Sequence, residues 1–199
     1  MKAGEFDWER FGGTHPLPFG QKFYAAAIET LFDKMWSVPY PGLQIRPHNI
    51  PPEPLDKFSY FKGILIDPRE ANIKRGWAYE SSWQPKEKGE VRLQYRNVPI
   101  LEAVNPGAEL RFSFTGTAIG IYTLCGPNAG IIEYRIDGGK FKRYDLFTEW
   151  SKNLYIPWVH MFATALNDSK HKITLRISSI NNHDSKGTSC QIYDFAVNN

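Results

Sequence analysis

The sequence predicts a mainly β protein: a jelly-roll β-sandwich preceded by one α-helix and a Pro-rich linker. Three observations predict it. Apolar residues recur at helical spacing only before residue 37. Six prolines crowd residues 37–55, SVPYPGLQIRPHNIPPEPL. From residue 56 onward the apolar period falls to two, with turn signals between short runs and no helix between them.

Element by element, residues 1–18 read as irregular, punctuated by Gly12, Gly13, Pro16 and Pro18. Residues 20–36 form the helix: Tyr24, Ala27, Ile28, Leu31 and Met35 share one side, and the AlaAlaAla run favours it. Ser37 and Pro39 end it. The proline-rich stretch is an extended, semi-rigid spacer and sets a boundary, giving segments 1–36, 37–55 and 56–199. The expected strands are 59–66, 91–95, 109–115, 117–124, 130–136, 140–146, 158–165, 171–178 and 189–197. Ile136-Asp137-Gly138-Gly139-Lys140 is a hairpin signal, and its Asp137 is a turn residue.

Composition narrows the function classes. The 199 residues are 42% hydrophobic and 15% aromatic, which supports a large core and argues against disorder. Net charge is +3, with the Lys and Arg residues scattered. No basic stripe is visible, so nucleic acid is not the expected partner. No apolar run reaches the ~20 residues of a membrane span, and no signal peptide opens this chain. Cys125 and Cys190 are far apart and form no CxxC pair, which leaves one disulfide or two buried thiols. The apolar flank of Cys125 favours an inert thiol.

No cofactor is expected. His160, His171 and His183 lack metal-ligand spacing and read as isolated. Asn181, Asn182, Asp184 and Ser185 are oxygen-rich, so structural calcium is an option, although their spacing is not that of an EF-hand. Trp77, Tyr79 and Trp83 in RGWAYESSWQP, and Trp150 near SKNLYIP, are candidate sugar-stacking rings. The competing reading closes one end of the sandwich with them. Trp158 reads as core.

The stretch THPLPFGQKFYAAAI resembles the end of an SGNH (GDSL-like) hydrolase domain. There a catalytic His on a loop is followed by Pro, then Gly, then the last helix of an α/β fold. His15, Pro16, Gly20 and the helix from Gln21 match that layout. The stretches 114–139, 145–154 and 171–178 resemble the accessory jelly-roll domain of such esterases in polysaccharide-degrading bacteria. The resemblance implies the C-terminal portion of a carbohydrate esterase that deacetylates polysaccharide, secreted or periplasmic when complete, with His15 as general base. Two departures stand out. Gly12 occupies the position where the family places an Asp three residues before its His, and no Gly-Asp-Ser nucleophile block is present. The chain alone is therefore expected to be inactive. The exposed helix stripe calls for an upstream hydrolase domain or a homodimer. The alternative is a non-catalytic carbohydrate-binding or structural module.

Overall fold

A computed structural model of the chain describes residues 6–37, 49–50 and 52–199. It divides into two compact units, Met1–Pro51 and Pro52–Asn199. Most of the proline-rich spacer lies outside the described residues.

The first unit holds two helices. Residues 8–11, expected to be irregular, form α1 (Trp8–Phe11), because the Asp7 carboxylate caps it by accepting from the backbone N–H of Glu9 (3.0 Å) and Arg10 (3.3 Å). Helix α2 (Pro18–Trp36) starts two residues earlier than predicted, with Pro18 at its first position. Rings of Phe6, Trp8, Phe11, Phe23 and Tyr24 pack together with centroids 4.7–5.9 Å apart. Gly20 permits this approach, since a Cβ there would lie 2.6 Å from the Phe11 carbonyl oxygen. Tyr24, Ile28, Leu31, Phe32, Met35 and Trp36 all remain exposed.

The second unit is the predicted sandwich of two antiparallel sheets. One sheet orders β3 (Ala78–Glu80), β4 (Ile100–Ala103), β11 (Cys190–Asn198), β6 (Ala118–Cys125) and β9 (Ile156–Ala163), with β1 (Gly63–Ile66) pairing β11 beyond β4. The other orders β2 (Asn72–Arg75), β5 (Glu109–Gly116), β10 (Ser169–Ile177), β7 (Ile131–Ile136) and β8 (Lys142–Asp145). The period of two does the folding: Leu110, Phe112 and Phe114 of β5 face Ile119, Ile121, Phe195 and Val197 of the other sheet in one core. Phe112 and Phe195 stack across it at 4.0 Å. Each such buried side chain contributes ~1.5–3 kcal/mol.

One predicted strand is absent. Residues 91–95 hold a 3-10 turn at Leu93–Tyr95 instead. This segment belongs to the β3–β4 loop, which folds back over the outer face of the first sheet. There Trp83, Val91, Ile100, Leu124 and Tyr155 make a second, smaller core. Strands β2, β3 and β4 were not expected.

Candidate functional site

The loops after β6, β8 and β10 leave the same end of the sandwich, because Cys125 pairs with Ile156, Ile131 with Asp145, and Ile177 with Ile132. Side chains zip these loops together. Ser185 Oγ donates to the Ala129 carbonyl (2.7 Å), and Ser189 Oγ to the Asn128 carbonyl (2.8 Å). Asn182 Nδ2 donates to Asp145 Oδ2 (2.7 Å), while Asp145 Oδ1 accepts from the Phe147 N–H (2.9 Å).

On this framework the β8–β9 loop carries a 3-10 turn, Glu149–Lys152, closed by a reciprocal Thr148–Ser151 box. Trp150 on that turn is 62% exposed. Two residues on, Lys152 Nζ lies 3.0 Å from Asp184 Oδ2 of the β10–β11 loop and lowers the Asp184 pKa. His183 Nε2 is 3.3 Å from the other oxygen. An exposed indole on a turn that also carries an ammonium group is a surface on which a sugar ring could stack.

The other predicted rings are placed elsewhere. Trp77 is 6% exposed and Trp83 2%, so neither offers a face to a ligand; both are core residues. Trp83 instead donates its indole N–H to Glu102 Oε1 (3.1 Å). Tyr79 is half-exposed, but the Arg69 guanidinium sits over its ring at 5.3 Å. Trp158, read as core, is 47% exposed because β9 is an edge strand. The oxygen-rich residues Asn181, Asn182 and Asp184 are held by protein partners: besides the bonds to Asp145 and Lys152, Asn182 Oδ1 accepts from the Asp184 N–H (2.9 Å), and Asn181 Nδ2 donates to the Ser185 carbonyl (3.3 Å).

His15 lies in the first unit, exposed, on the loop between α1 and α2. The structure accounts for the residue three before it. Gly12 ends α1 with φ +89°, and a Cβ there would lie 2.6 Å from Leu17 Cγ. An aspartate at that position would be strained and crowded.

The other two histidines read as isolated are paired as well. His160 Nε2 is 3.1 Å from Cys125 Sγ, both nearly fully buried, and Thr123 Oγ1 reaches the same sulfur at 2.8 Å. Burial pushes the thiol up to about 12 and the imidazole down to about 4. The pair is therefore neutral, with no thiolate nucleophile. Cys190 is also a buried free thiol, its pKa raised by the same desolvation. His171 bridges Asp137 Oδ2 (2.6 Å) through Nδ1 and the Asn167 carbonyl (2.8 Å) through Nε2. Sequence gave no sign of either pair, since the partners lie 34 or more residues apart. Among the described residues no helix is long and apolar enough to cross a membrane.

No family model matches the sequence, and no curated protein matches it. Solved structures do match its fold. A two-domain esterase (CEX) active on acetylated mannans superposes with TM-score 0.65 at 17% identity, over 92% of this chain and 47% of that one. The same esterase co-crystallised with mannopentaose gives 0.60 at 17%, over 98% and 50%. A family two carbohydrate esterase from Cellvibrio japonicus gives 0.40 at 10%, over 68% and 32%. The chain spans about half the length of the two-domain esterase. The 8% of the chain left out of the first match is smaller than the Met1–Pro51 unit, so the likeness reaches both units.

Proposed function

We propose that this chain is the C-terminal portion of an SGNH-type carbohydrate esterase that deacetylates polysaccharide outside the cytoplasm. The observation that supports this reading is the likeness of the fold, over 92% of the chain, to a two-domain esterase active on acetylated mannans. In the intact enzyme a serine upstream of this chain attacks the acetyl carbonyl. His15 takes the serine proton and gives it to the departing sugar oxygen, and then activates a water that releases acetate from the acetyl-serine and restores the serine hydroxyl. The apolar stripe of α2 packs on the rest of that hydrolase domain. The sandwich holds the polymer, with Trp150 as the stacking ring and Lys152, Asn182 and Asp184 as hydroxyl partners.

Retention in native gels containing acetylated glucomannan tests the binding half. Wild type is retarded, and Trp150→Ala weakens binding by about tenfold, the order expected for one desolvated aromatic contact. Unchanged retention in Trp150→Ala removes that ring from the site. For the catalytic half, the 199-residue chain leaves an aryl acetate intact, whereas the longer polypeptide hydrolyses it and loses activity in His15→Ala. Activity that survives His15→Ala refutes the assigned role.

A further inference from the structure

The basic residues are scattered in sequence, but the sheet register gathers them. Ile173, Leu175 and Ile177 of β10 point into the core, so Lys170, Lys172, Thr174 and Arg176 point out. On β5 the same alternation turns Arg111, Ser113 and Thr115 outward, and on β7 it turns out Glu133 and Arg135. Thr174 lies between Arg111 and Arg135 in the pairing. Two strand spacings place those arginines about 10 Å apart.

The acids on strands β5 and β7 and the turn after β7 are already engaged, while Glu70, in the wall of one depression beside Arg111 and Lys172, makes no ion pair among the described residues. Glu133 accepts from Arg176 (2.6 Å) and Arg143 (3.4 Å). Asp137 is held by His171, whose two ring nitrogens both face acceptors. Arg111 has only a long contact to Glu109, 3.4 Å. Among the described residues, Arg135, Lys170 and Lys172 make no ion pair. The Nε atoms of Arg111 and Arg135 are buried without a hydrogen-bond partner. Two neighbouring depressions, of about 390 and 410 Å³, share Arg111 and Lys172 in their walls. The first is completed by Arg135, Thr174, Asp137 and Gly138. Guanidinium groups with donors to spare, beside hydroxyls in a shallow pocket, suit a planar oxyanion on a polyhydroxylated chain.

We propose that the outer face of the five-stranded sheet, around Arg111, Arg135, Lys170 and Lys172, binds carboxylate- or sulfate-bearing polysaccharide. This rests on the polysaccharide reading above and adds a second surface, separate from Trp150. Nucleic acid fits less well. Duplex DNA carries a phosphate charge every ~1.7 Å, and Glu109, Glu133 and Asp137 interrupt the cations row by row. Spaced anionic groups avoid those carboxylates.

The test is fluorescence anisotropy of the full 199-residue chain with labelled polygalacturonate and labelled κ-carrageenan, a sparsely sulfated galactan, at 50 and 200 mM salt. At least one polymer binds at 50 mM and weakens with salt, and the tighter one identifies the anionic group. Arg111→Gln/Arg135→Gln weakens it tenfold or more. Lys170→Gln/Lys172→Gln, at exposed positions that do not bear on folding, weakens it severalfold. Neutral glucomannan retention is unmoved by either pair and responds only to Trp150→Ala, so the two surfaces fail separately. The proposal is overturned if neither polymer binds at 50 mM, if both double variants bind as wild type, or if duplex DNA binds more tightly than either polymer.

Discussion

Glu102 is the perturbation that most sharply tests how the β3–β4 loop is held. Its carboxylate is 4% exposed on the outer face of β4. Oε1 accepts from Trp83 Nε1 and Gln191 Nε2, each at 3.1 Å, and Oε2 meets the Lys86 ammonium. Truncation in Glu102→Ala strands the Trp83 indole N–H in a site where Trp83 is 2% exposed. Gln191 keeps one partner, Ser189 Oγ at 3.0 Å. Lys86 is 57% exposed and simply returns to water, so its share is small. One orphaned buried donor and two lost bonds to a charged acceptor cost about 3–5 kcal/mol together. With a urea slope near 2 kcal/mol/M, the midpoint falls by about 2 M. Glu102→Gln keeps an acceptor and the side-chain volume, and falls by less than half as much. Adding Trp83→Phe to Glu102→Ala recovers part of the loss by removing the stranded donor. Urea unfolding followed by circular dichroism measures all three. A Glu102→Ala shift below about 0.5 M, or no recovery in the double variant, would refute the view that this carboxylate pins the loop.

Two further outcomes follow from the buried and half-buried titratable pairs. Cys125, 1% exposed with its thiol pushed up to about 12, stays unreactive to a thiol reagent in the folded protein at pH 8 and reacts on unfolding; labelling without unfolding contradicts the neutral Cys125–His160 pair. His171 has its pKa raised by the Asn167 carbonyl and then Asp137, while the Asp137 pKa is lowered chiefly by His171. A raised histidine pKa stabilises the fold fully below its ordinary value of ~6.5 and loses that stabilisation as pH rises through the folded value. A lowered aspartate pKa stabilises above ~3.9 and fails as pH falls through its folded value. His171→Gln therefore lowers Tm most near pH 5 and least near pH 8.5, and a gap that is flat or widest at alkaline pH contradicts the bridge.

The long strands β5 and β10 were legible because each alternates over eight or nine residues against a core on one side only, and β6 and β11, packed on both faces, because their apolar runs are eight or nine residues long. The short ones were not, for opposite reasons. All four residues of β4 are buried, so alternation vanishes, because a loop covers the face that would otherwise be wet. All of β2 and β3 is exposed, and Asn72, Lys74, Arg75 and Glu80 hide the strand behind polar side chains. Residues 91–95 alternate well, yet Leu93 is 78% exposed and only Val91 is inside. The same loop explains the tryptophans. RGWAYESSWQP looks like an exposed, polar linker, and nothing local reveals that Glu102, 19 residues beyond Trp83, waits on a strand to receive its indole N–H. Trp150 shares that polar context without such a partner among the described residues, so burial rather than spacing separates the rings.

The two outer faces of the sandwich are solved differently by one sequence, and the difference bears on function. On the first sheet, Leu124 and Ile100 are apolar on the outer side and need cover, which the β3–β4 loop supplies at the expense of burying Glu102. On the second sheet the outward positions of β5, β7 and β10 are nearly all charged or hydroxylated, so no cover is needed for stability, and the described residues of the Pro52–Asn199 unit build none. Solubility alone would be met by charges of both signs in balance. Glu133 and Asp137 are spent on Arg176, Arg143 and His171, which leaves Glu70 as an unpaired acid against Arg135, Lys170 and Lys172, none of which has an ion-pair partner among the described residues. A face left open by folding, and left cationic after its internal pairs are made, is where an anionic polymer meets the least desolvation cost and the most unspent donors.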